Sequence, residues 1–178
     1  MKNKKYELKQ KAKNIKVIAT DVDGVLTDGS LVIDESSMEP FGKFSILDGM
    51  GVTIAHDCGL KIVVISRRKS LCTENRCNKL GISEVYTGIM DKAEKFREVA
   101  GRLNLQLSQL AYIGDDIIDL PAISLAGLKV APKNGVKFVK QYVDYITKAR
   151  GGNGVLREVV ELILKAQGSY SEYMQQYL

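Results

Sequence analysis

The chain has 178 residues, of which 45% are hydrophobic and 26% are charged, a composition that excludes a largely disordered protein and suits one folded domain. Its three cysteines are odd in number and form no C-x-x-C pair, which argues against a disulfide framework or a zinc site. The formal net charge is +5, but six of the lysines lie before residue 14, so the basic charge is local.

These lysines form a polar leader, residues 1–14, ahead of the first apolar run. Because the leader lacks interleaved aromatic residues, we interpret it as a solvated arm or short helix rather than a nucleic-acid or membrane contact. No stretch is apolar enough to span a membrane, and no apolar segment follows the lysines as in a signal peptide. We therefore expect a cytoplasmic protein without a nucleic-acid or membrane partner.

Beyond the leader, short β-rich apolar runs alternate with helical patterns, which predicts a mainly parallel sheet covered by helices. The predicted strands are 17–20, 62–65, 85–86, 110–113 and 128–131. Apolar residues at helical spacing mark two predicted helices within 93–103 and 155–166. We expect one α/β domain over residues 15–168, followed by a C-terminal tail, 169–178.

Residues 30–46 interrupt this alternation, because two short β-rich runs flank a polar connection. The pattern predicts a β-hairpin that projects from the domain. Since it follows the first strand closely, it can border a site at the end of that strand. An ordinary edge hairpin is the alternative.

Two carboxylates follow the first predicted strand, in the segment 18–25, which has the sequence Ile-Ala-Thr-Asp-Val-Asp-Gly-Val. Side chains alternate along extended backbone, so Asp21 and Asp23 start on the same side, and Gly24 can turn them around one cation. Such oxygens suit Mg²⁺. One carboxylate can attack phosphorus while the other handles a proton. The pattern favours phosphotransfer chemistry, with a solvated turn or a generic divalent-cation site as the alternative.

Further polar residues follow other predicted strands, where open parallel sheets gather ligand-binding groups. Ser66 ends the second run and can hold a phosphoryl oxygen, although a lone serine there is usually a helix cap. Lys92 begins a helix and can offset negative charge, although a lone lysine is usually solvated. Asp115, Asp116 and Asp119 follow the fourth run and can complete a magnesium site or orient its waters.

This ordered set of Asp-x-Asp, Ser, Lys and Gly-Asp-Asp resembles the four motifs of the haloacid dehalogenase superfamily of phosphatases. Across about residues 15–168 the chain is similar to the capless branch that contains 3-deoxy-D-manno-octulosonate 8-phosphate phosphatase. The landmarks are Asp48-Gly-Met-Gly51, Glu74-Asn-Arg-Cys77, Gly114-Asp-Asp-Ile-Ile-Asp-Leu-Pro121 and Gly151-Gly-Asn-Gly154. The resemblance implies a Rossmann-like three-layer sandwich without a cap domain. It also implies a homotetramer in which hairpins and C-terminal segments help to enclose neighbouring sites.

The resemblance also implies hydrolysis of a sugar-acid phosphate through an aspartyl-phosphate intermediate. Asp21 would attack phosphorus, while Asp23 would protonate the leaving oxygen and then activate water. Ser66, Lys92 and the backbone N–H groups near Gly24 would hold the phosphoryl oxygens.

For the metal, the resemblance implies Mg²⁺ bound by the Asp21 carboxylate, the Asp23 backbone carbonyl and Asp115. Asp116 and Asp119 would support these ligands from behind.

Substrate recognition is the part in which the chain departs from the family pattern. Close relatives carry Thr-Gly-Arg where this chain has Ser66-Arg67-Arg68, and many carry Gly-Gly-Arg-Gly where it has Gly-Gly-Asn-Gly. The second change removes a guanidinium suited to a carboxylate. The candidate substrate contacts are Gly24, Asp48, Arg68, Arg150 and Arg157; a structural surface role is the alternative for the arginines.

Three alternatives to an eight-carbon sugar-acid phosphatase stay open from the sequence. A nine-carbon ulosonate 9-phosphate is the nearest alternative substrate. A noncatalytic receiver-like regulator shares the residue types, but its double-Asp comes first along the chain, whereas here it comes last. A degenerate fold kept for partner binding is disfavoured because all four motif positions are chemically competent.

Overall fold

Six short strands form the centre of the computed structural model, which describes residues 2–32 and 42–178. The strands are β1 (Val17–Thr20), β2 (Lys61–Ile65), β3 (Glu84–Tyr86), β4 (Leu110–Ile113), β5 (Leu128–Ala131) and β6 (Tyr145–Ile146). All pair in parallel, in the order β3-β2-β1-β4-β5-β6. The first five confirm the strands predicted from the sequence. The sixth was missed because it is only two residues long.

Seven helices in the described residues cover this sheet. They are α1 (Lys2–Lys13), α2 (Ile46–Asp57), α3 (Leu71–Lys79), α4 (Lys92–Arg102), α5 (Leu120–Leu125), α6 (Val155–Gln167) and α7 (Ser169–Met174). One core lies under α1, α2, α3 and α6, and the other lies under α4 and α5. The three-layer α/β sandwich predicted from the sequence is therefore confirmed. None of these helices combines the length and apolar character that a membrane span requires.

Alternation along β1 connects the two cores. Ile18 faces the core under α2 and α6, whereas Val17 and Ala19 face the core under α4. All four residues of β1 and all four of β4 are buried, as expected for central strands with both faces covered.

The lysine-rich leader is a helix that packs against the rest of the chain. Ala12 is fully buried and Leu8 partly so, both against the core under α6. The Gln167 side chain, at the end of α6, donates a hydrogen bond to the carbonyl of Ile15 at 2.7 Å.

The predicted hairpin at 30–46 falls mainly on residues 33–41, which lie outside the described residues. At its edges, Val32 forms an isolated bridge, and Ile46 already begins α2. The side chain of Ser45 caps this helix by accepting a hydrogen bond from the Leu47 N–H at 3.1 Å.

Strand order places a crevice between β1 and β4. The chain runs outward from β1 through β2 to β3, returns to β4 beside β1, and continues outward through β5 to β6. The connections after β1 and β4 therefore diverge to opposite sides, which opens a crevice at the carboxyl ends of these strands.

The loop before α6 closes one side of this crevice by packing on the turn after β1. The Gly152 N–H donates to the Val25 carbonyl at 3.0 Å, and Asn134 bridges the Gly24 carbonyl and the Gly151 N–H. A Cβ added at Gly151 would lie 2.0 Å from the Gly24 oxygen and 2.5 Å from the Thr27 oxygen. Only glycine fits there without moving backbone.

We expect Gly151→Ala to destabilise the fold, because its methyl group has to displace the turn after β1. Overpacking of this kind typically costs about 1–3 kcal/mol, which thermal unfolding would show as a lower midpoint. Gly101→Ala, in α4, is the matched control: its added Cβ meets nothing within 4 Å. That variant should gain roughly 0.5–1 kcal/mol from helix propensity. Equal midpoints for the two variants would contradict this packing.

Candidate active site

The turn after β1 brings its acidic residues to the crevice. Asp21 is almost fully buried and Asp23 is partly exposed. Gly24 has a φ of +82°, a conformation that side chains disfavour. A Cβ at Gly24 would also lie 2.1 Å from an Asp115 oxygen, so glycine both makes the turn and admits Asp115.

Beneath this turn, a buried lysine is shared between two carboxylates. Lys92 Nζ lies 2.9 Å from Asp21 Oδ1 and 2.6 Å from Asp119 Oδ1, and all three side chains are nearly inaccessible to solvent. The hydroxyl of Tyr112, in β4, also donates to Asp119 Oδ1 at 3.2 Å. Lys92 is in this position because it is the first residue of α4, whose N-terminus is capped by Asp91.

Asp119 also shapes the loop after β4. Its Oδ2 accepts hydrogen bonds from the backbone N–H groups of Asp115 and Asp116, at 3.1 and 3.3 Å. Gly114 makes room for this arrangement, because a Cβ there would lie 2.4 Å from the Cβ of Asp119. The loop therefore holds the Asp115 carboxylate over the crevice.

Burial and excess negative charge perturb the acids. Burial and the Asp119 carboxylate raise the pKa of Asp21 to about 7, although the adjacent ammonium of Lys92 opposes the shift. Burial and the carboxylates of Asp119 and Asp116 likewise raise the pKa of Asp115 to about 7. Burial also disfavours the charged form of Lys92, but the neighbouring Asp21 and Asp119 outweigh it and raise its pKa. The cluster thus holds one ammonium for three carboxylates, so it has too little positive charge to balance them.

The donors present fit a hard divalent cation. One carboxylate oxygen from each of Asp21, Asp115 and Asp119 lies within 4.8 Å of the others. Because Asp119 already accepts hydrogen bonds from Lys92, Tyr112 and two backbone amides, Asp21 and Asp115 are the freer donors. Carboxylate oxygens of this kind suit Mg²⁺.

Above these acids the crevice widens into an open cleft of about 370 Å³. It is lined by Asp21, Asp23, Gly24, Gly29, Ser66, Arg67, Arg68, Asp115, Asp116 and Ile118. The structure thus brings together most of the predicted site residues in one cleft. Lys92 and Asp119 lie behind Asp21, below the floor of this cleft.

Three predicted substrate contacts lie outside the cleft lining. Asp48 is buried, and its two oxygens accept hydrogen bonds from the N–H groups of Gly154 and Arg157 at the start of α6, at 3.2 and 3.1 Å. The guanidinium of Arg157 donates to Glu161 on the same helix at 2.7 Å. Arg150 is exposed in the loop that packs on the turn after β1. The Asp48 side chain therefore holds the start of α6, the Arg157 side chain pairs within that helix, and neither lines the cleft.

Sequence reasoning missed two residues that support the site. Tyr112 reads as one more apolar residue of β4, but a buried tyrosine hydroxyl needs a partner, and the acids next along the chain supply it. Asn134 follows β5, the strand beside β4, so the rule that sites gather at strand ends was enough to suggest it.

Comparison with known proteins gives a consistent family. A family model described as haloacid dehalogenase-like hydrolase matches residues 61–159. The 3-deoxy-D-manno-octulosonate 8-phosphate phosphatase of Escherichia coli (strain K12) is 36% identical over 162 residues, which are 91% of this chain and 86% of the relative. The protein of the same name from Haemophilus influenzae is 37% identical over 166 residues, which are 93% of this chain and 92% of the relative.

Solved structures agree with this family and with the donor set. The phosphatase of that name from Moraxella catarrhalis, in complex with a magnesium ion, a phosphate ion and KDO, has a TM-score of 0.93 and 38% identity, covering 97% of this chain and 98% of that one. A cobalt-bound form of the Haemophilus influenzae protein has a TM-score of 0.87 and 36% identity, covering 92% and 95%. The resemblance drawn from the motifs is confirmed.

The raised pKa values predict that Mg²⁺ stabilises the protein more at higher pH. Unfolded aspartates are ionised above about pH 5, whereas Asp21 and Asp115 in the folded, metal-free protein bind protons up to about pH 7. The protonated carboxyls therefore stabilise the folded, metal-free protein at low pH, and this stabilisation is lost as the pH rises through about 7. Between about pH 6 and pH 8 the free energy of unfolding should fall by roughly 1 kcal/mol per carboxyl, which lowers the unfolding midpoint by about 2–4 °C each.

Thermal unfolding with Mg²⁺ and with a chelator would measure this effect. The midpoint difference between the two conditions should grow from about pH 6 to about pH 8, because the metal binds the deprotonated carboxylates. In the presence of the chelator, the fall of the midpoint between about pH 6 and pH 8 should shrink by about half in Asp115→Asn, since one of two titrating groups is removed. A metal-induced shift that is constant with pH would contradict the prediction.

Asp48→Ala should lower stability by about 1–2 kcal/mol, because it removes the cap of α6. Asp48→Asn is the matched control, since an asparagine oxygen can still accept one of the two hydrogen bonds and should retain most of the stability. Chemical denaturation of the three proteins would measure both changes. If Asp48→Ala were as stable as the wild type, the cap would contribute nothing to stability. A substrate contact would then be the better explanation of Asp48.

Proposed function

The chain belongs to the haloacid dehalogenase-like hydrolases, and from this we propose that it is a magnesium-dependent phosphatase of a sugar-acid phosphate. The substrate that we propose is 3-deoxy-D-manno-octulosonate 8-phosphate, which is hydrolysed to 3-deoxy-D-manno-octulosonate and phosphate. This places the protein in lipopolysaccharide biosynthesis. The observation that carries the proposal is a buried Asp21, with one oxygen on Lys92, at the floor of a cleft lined by Ser66 and Asp115.

The named relatives support the substrate. Curated proteins at 36–37% identity over more than nine-tenths of this chain carry the name 3-deoxy-D-manno-octulosonate 8-phosphate phosphatase. The Moraxella catarrhalis structure holds a magnesium ion, a phosphate ion and KDO. A hydrolase family disfavours a receiver-like regulator, which would retain its aspartyl-phosphate.

Asp21 is the nucleophile in this proposal. The ammonium of Lys92 fixes one of its oxygens and offsets the charge of an approaching phosphate. An in-line attack on phosphorus forms the aspartyl-phosphate and releases the sugar oxygen. Ser66 is buried in the cleft lining and is placed to hold a phosphoryl oxygen during this step.

Asp23 is the acid and base. It lies two residues after the nucleophile, on the half-exposed side of the cleft, where the leaving group and water have access. It protonates the departing sugar oxygen and then removes a proton from the water that hydrolyses the aspartyl-phosphate. The same side chain thus serves both half-reactions.

The carboxylates of Asp21 and Asp115 and the backbone carbonyl of Asp23 would hold Mg²⁺. When bound, the ion supplies the positive charge that lets two anions approach each other. Asp119 keeps the Asp115 loop in place, and Asp116 accepts a hydrogen bond from the Ile117 N–H beside it.

A homotetramer is the assembly that the family resemblance suggests. Support comes from exposed apolar side chains at the start of α2, beside the predicted hairpin. Ile46 is 84% exposed, and Leu47 and Met50 are also accessible. Light scattering of the purified chain tests this assembly. The cytoplasmic location expected from the sequence stays a prediction.

Asp21→Asn should reduce magnesium-dependent phosphate release by about 10⁴-fold or more, because it removes the nucleophile. Asp57→Asn is the matched control, since Asp57 lies at the end of α2 with its carboxylate on Tyr173, away from the cleft. The assay compares the eight-carbon and nine-carbon ulosonate phosphates with neutral sugar phosphates. Preference for the nine-carbon acid would keep the phosphatase and change its substrate, and undiminished turnover by Asp21→Asn would contradict the mechanism.

A further inference from the structure

Arg68 holds the Asp23 carboxylate across the mouth of the cleft. Its Nε donates to Asp23 Oδ2 at 2.8 Å, and its Nη2 donates to Asp23 Oδ1 at 2.5 Å. The side chains are 27% and 34% exposed, so solvent shields the pair only in part. Two-pronged pairs of this kind are among the stronger and more directional polar contacts in proteins.

This contact conflicts with the acid/base role of Asp23. An acid has to present an oxygen to the leaving group, and a base has to present one to water. Here the guanidinium of Arg68 engages both oxygens. Each oxygen keeps a second lone pair, but a proton on Asp23 removes the negative charge that holds the two-pronged pair. The pair is therefore weakened at each proton transfer, and its opening contributes to the rate of turnover.

We propose that Arg68 is a clamp opened by the substrate: it holds Asp23 until a carboxylate at the far end of the substrate takes over its guanidinium. The inference rests on the proposed function, which assigns the acid/base step to Asp23. Arg68 exchanges one carboxylate for another, and its planar fork fits both, so the exchange leaves few hydrogen bonds unmade. Arg68 is thus a positioning residue that acts through Asp23.

The position of Arg68 explains why a carboxylate, and not the phosphate, opens the clamp. The phosphoryl group belongs at the floor of the cleft, where Asp21 and Ser66 are both almost fully buried. Arg68 lies two residues beyond Ser66 and is half-buried at the rim. When the phosphate is bound at the floor, the Arg68 guanidinium can pair only with a charged group on another part of the substrate.

Phosphate esters without a second anion should therefore be turned over slowly. A hydroxyl group cannot replace a carboxylate at the fork without loss of a charge-assisted hydrogen bond. Such an ester has to open the pair without compensation, which lowers kcat as well as kcat/KM. The enzyme would then discriminate between substrates with and without a carboxylate in the chemical step.

Steady-state kinetics of the full chain with Mg²⁺ test the clamp. The substrates are 3-deoxy-D-manno-octulosonate 8-phosphate and glucose 6-phosphate, a neutral sugar with the same type of primary leaving group. Arg68→Ala should raise kcat on glucose 6-phosphate by about tenfold, the value of one hydrogen bond to a charged group, and should lower kcat/KM on the acid. Arg68→Lys keeps the positive charge but not the planar guanidinium. Its kinetic constants on both substrates should lie between those of the wild type and of Arg68→Ala.

Arg67→Ala is the matched control for charge. Arg67 lines the same cleft but is exposed, so its removal changes the local field without opening the Asp23 pair. It should not raise turnover of the neutral ester. A second control adds pyruvate, a small 2-oxo acid, which should activate wild-type hydrolysis of glucose 6-phosphate and leave Arg68→Ala unaffected. This arm uses the wild-type protein and so stands even if Arg68→Ala folds poorly.

Each other outcome overturns the clamp. An equal fall of kcat on both esters in Arg68→Ala would make Arg68 a phosphate contact or a productive support of Asp23. Unchanged kcat on the neutral ester, with a loss confined to the acid, would make it a carboxylate contact alone. Absence of magnesium-dependent turnover of either ester by the wild-type chain would overturn the proposed function together with the clamp.

Discussion

The site depends on one buried ammonium that serves two buried carboxylates. Removing three charges from water costs several kcal/mol per ion, and only close pairing offsets this cost. Lys92 supplies that pairing to Asp21 and Asp119, but a third acid, Asp115, lies beside them. Burial, together with the negative charge of the neighbouring carboxylates, raises the pKa values of Asp21 and Asp115 to about 7. A site short of positive charge is prepared for a divalent cation and for a phosphate bound to it.

The fold builds this cluster through close backbone approach. The crevice between β1 and β4 exists because the chain changes direction in the sheet there. Glycines then let its walls meet: Gly24 admits Asp115, Gly114 admits Asp119, and Gly151 seats the loop before α6. A side chain at any of the three would separate elements that have to touch, so these positions tie the fold to the chemistry.

The sequence predicted the parts of the structure that follow from local pattern. β-rich runs identified five strands, and polar residues at their ends identified the cleft, because side-chain type and strand polarity suffice for both. β6 was missed because two residues carry no periodicity. Asp48 was assigned to substrate as part of a family landmark, whereas its partners lie more than 100 residues away at the start of α6. Contacts of that kind depend on tertiary packing, which no local pattern encodes.

The residues that act on phosphorus and the residues that contact the rest of the substrate lie at different depths of the cleft. The groups that act on phosphorus are buried and held by several contacts, which suits a reaction common to a large family. Arg67 and Arg68 line the rim of the cleft, where Arg67 is exposed and Arg68 is half-buried. A rim residue can change without disturbing the buried charges, so substrates can diverge while hydrolysis is retained. The contact of Arg68 with Asp23 links the two depths, because a specificity residue then controls the acid on which the chemistry depends.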